Sequence, residues 1–305
     1  MSLKGKVALV TGASRGIGRG IALQLGEAQA TVYVTGRKPE DYDEATKLFK
    51  VSTLHSVADE ITQRGGKGIA VFVDHSDGKS VKALFDRISE EQNGQLDILV
   101  NNAYAGVPFI FTNTGKKFYE FDPEYSYDII NNVGLRNHYI CSSYAARLMI
   151  PRKSGLIVVV SSMGGMNYLF NVSYGLGKAA CDKLAADMAV ELRGTGVSAV
   201  SLWPGAVKTE IINQGVLNNP GAPEISKQIF SNGESTEFSG KTIVALANDP
   251  ELEKLSGRIL KTATLAKKYD IYDLDGSQPN DRGFSEEYIQ VLNKVRVDDT
   301  GRRPN

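Results

Sequence analysis

The chain reads as a doubly wound α/β fold, one parallel sheet with helices on both faces, built as a single domain. Three observations carry that reading. Short, β-branched, nearly unbroken apolar runs recur along the chain, as strands buried on both faces do. Segments with apolar residues at helical spacing lie between them, and this alternation argues for a parallel sheet with right-handed crossovers. The first run leads directly into a glycine-rich turn.

Taken in order, the strand-like runs are Val7–Val10, Thr31–Val34, Ile69–Val73, Leu96–Val100, Ile157–Val160 and Val197–Leu202, with a last one near Leu255–Leu260. Each is bounded by Gly or polar residues. Ile21, Leu25 and Ala28 mark a helix after the first turn, and Ala180, Leu184 and Met188 mark another before the sixth strand. Long helices are predicted at about 124–150 and 173–193. Residues 38–53 put an extra charged stretch after the second strand. Residues 210–240 are rich in Asn, Gly, Pro and Ser. That segment reads as a lid, since long loops in compact domains are usually functional or mobile. The division expected is a catalytic domain over 1–264 and a polar C-terminal extension over 265–305.

Composition narrows the function classes. Lys and Arg number 35, as do Asp and Glu, and no basic block stands out, so nothing asks for a nucleic-acid partner. No stretch approaches the ~20 apolar residues of a membrane span, and a soluble, cytoplasmic protein is expected. Cys141 and Cys181 lie far apart in apolar helical patterns, which reads as core packing rather than a metal site.

The turn after the first strand is Thr11-Gly12-Ala13-Ser14-Arg15-Gly16-Ile17-Gly18. Glycines at a strand-to-helix turn let the backbone approach a pyrophosphate, and the helix N-terminus offers free N–H groups. Alone the motif also fits a tight turn without a ligand; its place after the first buried strand favours binding, and gives the fold its Rossmann-type form. The second strand ends Thr35-Gly36-Arg37-Lys38. NAD binders usually have an acid there for the ribose 2′-OH, whereas a cation suits the 2′-phosphate of NADP. Arg15 could form the other half of that clamp.

Tyr174 and Lys178 are four residues apart, on one face of a helix. A free tyrosine, with a pKa of about 10, is a poor base near neutrality, and a nearby ammonium favours its phenolate. Twelve residues upstream a strand ends in Ser161-Ser162, where a hydroxyl can donate to a substrate carbonyl. Asn131 and Asn132 fall within a predicted long helix, a poor place for asparagine; one of the pair is expected at the surface.

Together these segments resemble the short-chain dehydrogenase/reductase family over about residues 5–262. The supporting set is Thr11–Gly18, Asp74, Asn101-Asn102-Ala103, Asn132, Ser162, Tyr174 with Lys178, and Trp203-Pro204-Gly205 through Thr209. The resemblance implies that Tyr174 is the acid/base, Lys178 holds the nicotinamide ribose, Ser162 polarises the carbonyl and Asn132 supports a proton-relay water. It places Gly12, Ser14, Arg15, Gly16, Ile17, Gly18, Arg37, Asp74, Asn101, Ala103, Pro204, Gly205, Val207 and Thr209 at NADP(H), with no metal. Ser162 is chosen over Ser161 because the family's serine is usually the second of such a pair. A narrower likeness in Asn101–Gly106, Asn131–Arg136 and Gly177–Asp187 implies carbonyl reduction of broad, lipophilic substrates, steroid or xenobiotic in type. A homodimer or homotetramer through the long helices is the family expectation. The rival readings are a non-enzymatic NADP(H) sensor or scaffold, which typically lacks the tyrosine or lysine, and an acyl-carrier enzyme, which would need a basic docking patch. Where the family has Asn-Asn-Ala-Gly this chain has Asn-Asn-Ala-Tyr, with Tyr104 beside the expected cofactor. The last strand is not followed by the family's usual Asp-Gly-Gly.

Overall fold

A computed structural model describes residues 1–41 and 53–279. Seven parallel strands form one sheet in the order β3-β2-β1-β4-β5-β6-β7. They are β1 (Val7–Val10), β2 (Thr31–Gly36), β3 (Lys67–Phe72), β4 (Ile98–Asn101), β5 (Gly155–Val160), β6 (Val197–Trp203) and β7 (Ile259–Lys261). The helices are α1 (Gly16–Glu27), α2 (Leu54–Gln63), α3 (Gly78–Glu91), α4 (Val107–Thr112), α5 (Pro123–Asn131), α6 (Asn137–Met149), α7 (Val172–Glu191), α8 (Glu224–Ser231), α9 (Phe238–Ala247) and α10 (Thr262–Tyr269).

The two-residue period of each strand sorts its side chains between two cores. Ala8, Val10, Val32, Val34, Val100, Val158 and Val200 face one core, shared with α1, α2 and α9. Val7, Leu9, Tyr33, Leu99, Ile157 and Ala199 face the other, shared with α3 and α6. The strand order reverses between β1 and β4. In such sheets the crevice beyond the strand C-termini at that reversal receives ligands.

Three sequence expectations shift. The third strand was expected buried on both faces, but β3 lies at the sheet edge and its residues are intermediate or exposed. The last strand begins later than the apolar run near Leu255, because Leu252–Leu255 forms a helical turn and Gly257 reverses the chain at φ +81°. The long helix at 124–150 is two helices. Val133 and Gly134 leave helical geometry, Gly134 at φ +156°, and the break separates α5 from α6.

The expected start of the extension, residue 265, falls inside α10, where Leu265 and Ala266 are buried. Ile271 is buried too. Asp273 accepts the Ser235 N–H at 2.7 Å, and Gln278 donates to the Ile271 carbonyl at 3.0 Å. The chain therefore packs on the domain as far as Gln278. Most of the 38–53 insertion, and residues 280–305, lie outside the described residues.

Candidate active site

A cleft of about 960 Å³ opens beyond the C-terminal ends of β1, β4 and β5. Its floor begins at the glycine turn. Gly12 has φ +66°, and a Cβ there would come within 2.6 Å of the Ala103 Cα. Gly16 has φ +55°. At Gly18 a Cβ would strike Asn102 Nδ2 at 2.3 Å. Thr11 Oγ1 accepts the Asn102 and Ala103 N–H groups, each at 3.0 Å. Asn102 Nδ2 donates back to the Thr11 and Gly12 carbonyls at 3.0 and 2.9 Å. These bonds tie the turns after β1 and β4 together and leave the start of α1 facing the cleft. Gly12, Ser14, Arg15, Gly16, Ile17, Gly18 and Ala103 all line it.

Asn101 does not. It is fully buried, and its Nδ2 donates to Ser142 Oγ at 2.9 Å. Strand alternation sends Asn101 toward α6 and its neighbour Asn102 to the cleft, so the site residue is Asn102.

Arg37 and Asp74 line the cleft beyond β2 and β3. Arg37 donates to the Asp41 carbonyl at 3.3 Å. Asp74 Oδ1 accepts the Ser76 N–H at 2.8 Å and its hydroxyl at 2.7 Å. Asp41 also lines this end, an acid that the sequence reading did not weigh. This end of the cleft therefore brings two guanidinium groups, Arg15 and Arg37, together with two acids, Asp41 and Asp74.

At the other end the expected tetrad converges: Asn132, Ser162, Tyr174 and Lys178 all line the same cleft. Asn171 caps α7 by accepting the Tyr174 N–H at 2.9 Å, which fixes where the helix begins. Lys178 follows one turn later; its Nζ donates to the Val160 carbonyl at 3.1 Å and lies 5.9 Å from the Tyr174 ring centre. Ser162 Oγ accepts the Gly164 N–H at 3.0 Å. That bond uses a lone pair and leaves the hydroxyl hydrogen to point elsewhere. Ser161 is buried and donates to the Lys178 carbonyl at 3.0 Å.

The break between α5 and α6 explains the two asparagines. Asn132 stands at the break and faces the cleft. Asn131 is buried, not on the surface, and its Nδ2 donates to the Tyr127 and Ser173 carbonyls at 3.2 Å each.

Behind the tetrad the polar groups are dry. Burial pushes His138 down to about 3 and His75 down to about 4, so both are neutral imidazoles near neutrality. Burial pushes the Cys181 thiol up to about 11. Asp182, one turn beyond Lys178, accepts from Ser201 Oγ at 2.6 Å and Trp203 Nε1 at 2.9 Å, and burial raises its carboxyl above the usual range.

Pro204, Gly205, Val207 and Thr209 form the fourth wall. The backbone of Glu234, whose side chain is buried, holds this loop: its N–H donates to the Ala206 carbonyl at 2.8 Å, and its carbonyl accepts from the Lys208 N–H at 2.9 Å. The following segment folds as a helical turn (Glu210–Ile212), a π-type turn (Asn213–Leu217) and α8. Ile211, Ile212 and Phe230 bring apolar surface to the cleft, joined by Phe111, Phe170 and Ile129. The sequence reading missed Glu210, whose carboxylate accepts the Gly16 N–H at 2.9 Å. It also missed Glu234 and Phe170. Each acts across long sequence separation or from a loop, with no local period to mark it.

The geometry fits a dinucleotide. Glycines that tolerate no side chain, helix N–H groups at the turn and two arginines would hold its phosphates, and the tetrad stands at the far end.

Comparison with known proteins agrees. The family model for short chain dehydrogenases matches residues 6–219. Mouse dehydrogenase/reductase SDR family member 1 is 52% identical over 283 residues, 92% of this chain and 86% of that protein. An Arabidopsis thaliana NADPH-dependent aldehyde reductase is 31% identical over 265 residues, 85% of this chain and 93% of that protein. Among solved structures, a putative gluconate dehydrogenase from Agrobacterium tumefaciens superposes with TM-score 0.70 at 25% identity, covering 87% of this chain and 98% of that one. The strand order, the placement of the tetrad on one cleft and these likenesses lead to one conclusion: the chain belongs to the short-chain dehydrogenase family of oxidoreductases, which use a nicotinamide cofactor.

Proposed function

We propose that this protein is an NADP(H)-dependent carbonyl reductase and alcohol dehydrogenase for lipophilic substrates. The observation that carries the reading is the convergence of Ser162, Tyr174 and Lys178 at one end of a cleft whose other end holds Arg15 and Arg37. The cofactor supplies the hydride chemistry when bound. Arg15 and Arg37 supply charge for a 2′-phosphate, and the aldehyde reductase relative is named as NADPH-dependent.

The chain's own groups manage the proton and the oxygen. Ser162 Oγ, with its lone pair held by Gly164, donates to a carbonyl oxygen as that oxygen gains charge. The Tyr174 hydroxyl gives its proton to the same oxygen, or takes it back in the alcohol direction. Lys178 favours the phenolate that remains. Phe111, Phe170, Phe230, Ile211 and Ile212 offer a lipophilic substrate its contact surface. A homodimer or homotetramer through α6 and α7 is part of the proposal, and sedimentation equilibrium checks that point.

The test is a panel of steroid-like and aromatic carbonyl compounds with NADPH, followed by cofactor absorbance, on the wild type and on Tyr174→Phe. The variant is expected to lose at least about 100-fold in kcat while NADPH affinity holds, because the ring still packs against Phe170 at 4.9 Å. Near-normal turnover would remove Tyr174 from the mechanism.

A further inference from the structure

Tyr104 stands where the family has glycine, and the fold makes room for it at two other glycines. A Cβ on Gly134 would lie 2.6 Å from Tyr104 Cδ2, and one on Gly106 would lie 2.6 Å from its hydroxyl oxygen. Gly134 sits in the break between α5 and α6, and the Val133 carbonyl accepts the Ala105 N–H at 3.0 Å. The break that exposes Asn132 therefore also seats the Tyr104 ring.

That ring lies against the proton-transfer pair. Lys178 Nζ is 5.0 Å from the Tyr104 ring centre, nearer than it is to Tyr174. The Tyr104 and Tyr174 rings meet edge to face, 6.2 Å apart at 78°. A cation this close over an aromatic face is attracted by the ring quadrupole, more strongly in a dry site. The Tyr104 hydroxyl, by contrast, is buried with no hydrogen-bond partner among the described residues. Burial holds that phenol well above its usual range, so it stays neutral.

We propose that Tyr104 is a positioning residue for proton transfer: its ring face holds the Lys178 ammonium beside Tyr174, and its hydroxyl plays no part. This rests on the reading of Tyr174 and Lys178 given above. The titratable groups packed around the pair are His138, Cys181 and Asp182. Burial keeps His138 and Cys181 neutral near pH 7, and Asp182 is engaged by Ser201 and Trp203.

Two readouts test the proposal on the full chain. The first is acylation of Lys178 across pH without cofactor, read by peptide mass spectrometry; it reports on the lysine whether or not any substrate turns over. The second is the pH profile of alcohol oxidation, which needs the phenolate. In Tyr104→Leu the acylation midpoint is expected to fall by about half a pH unit, and the rise of the oxidation rate to move up by about as much. Tyr104→Phe keeps the ring and is expected to restore both wild-type midpoints. Tyr104→Met serves in place of the leucine variant if that one fails to fold. An unchanged acylation midpoint in the leucine or methionine variant overturns the proposal. So does a phenylalanine variant that behaves like leucine, which would assign the effect to the hydroxyl. Absence of NADPH-linked turnover in the wild type would sink the functional reading instead, and the acylation midpoint would still decide on Tyr104.

Discussion

Replacing Glu234 by glutamine should remove a pH dependence from the stability of this fold. The carboxyl is almost wholly buried, beneath the loop that carries Pro204–Thr209. Its Oε2 accepts the Thr262 hydroxyl at 2.8 Å, and its Oε1 faces Ser239 Oγ at 3.4 Å. Burial is the main cause that raises it from 4.5 to about 7, and the charge of Asp273 adds to the rise. Between those values the unfolded chain has released the proton while the native one keeps it. The unfolded state then binds fewer protons, so stability falls as pH rises through the window of about 4.5 to 7. At 1.36 kcal/mol per unit the loss is about 3 kcal/mol. Glutamine keeps an acceptor for Thr262 and turns its NH₂ to Ser239, with nothing to ionise. His75 and His138 act in the opposite sense, since burial lowers them and stability rises with pH up to their unfolded value near 6.5. They cancel in the difference between wild type and variant. Urea unfolding of both proteins at pH 5, 6, 7 and 8 provides the measurement. From pH 5 to pH 8 the wild type should lose about 2.5 kcal/mol relative to Glu234→Gln, the rest of the loss falling below pH 5. A constant difference, or one that grows in favour of the wild type, would mean that Glu234 is ionised in the native state throughout.

Two more expectations concern the cofactor end of the cleft. Arg37→Asp should weaken NADPH binding by roughly 10- to 100-fold, the scale of one charge-assisted contact, and narrow or reverse a preference over NADH; equal use of both cofactors by the wild type would show that Arg37 does not read the 2′-phosphate. Glu210→Gln should tighten NADPH several-fold in a fluorescence titration, because its carboxylate now holds the Gly16 N–H at the anion-binding turn. An unchanged or weaker affinity would mean that this carboxylate does not compete with the phosphates.

Much of the molecule was legible in the sequence because its signals are local. Alternating buried runs and helical spacings mark the sheet, and strand β1 with its glycine turn marks the phosphate end. Tyr174 and Lys178 share a helix face at four-residue spacing, and Asn171 starts that helix from three residues away. What the chain order could not decide is which side of a strand end faces the cleft. Asn101 and Asn102 differ only in the register of β4 against α6, and the core claims Asn101. Nor could it decide that a predicted long helix breaks at Gly134, since the break is occupied by the ring of Tyr104 from another loop. The Glu210 contact with Gly16 joins residues 194 positions apart. The packing of α10 onto the domain likewise depends on contacts distant in the chain, such as Asp273 with Ser235. Composition and spacing set which elements form; the side chains that meet across them are chosen by close packing and by the need to pair buried polar groups, and both exist only once the chain has folded.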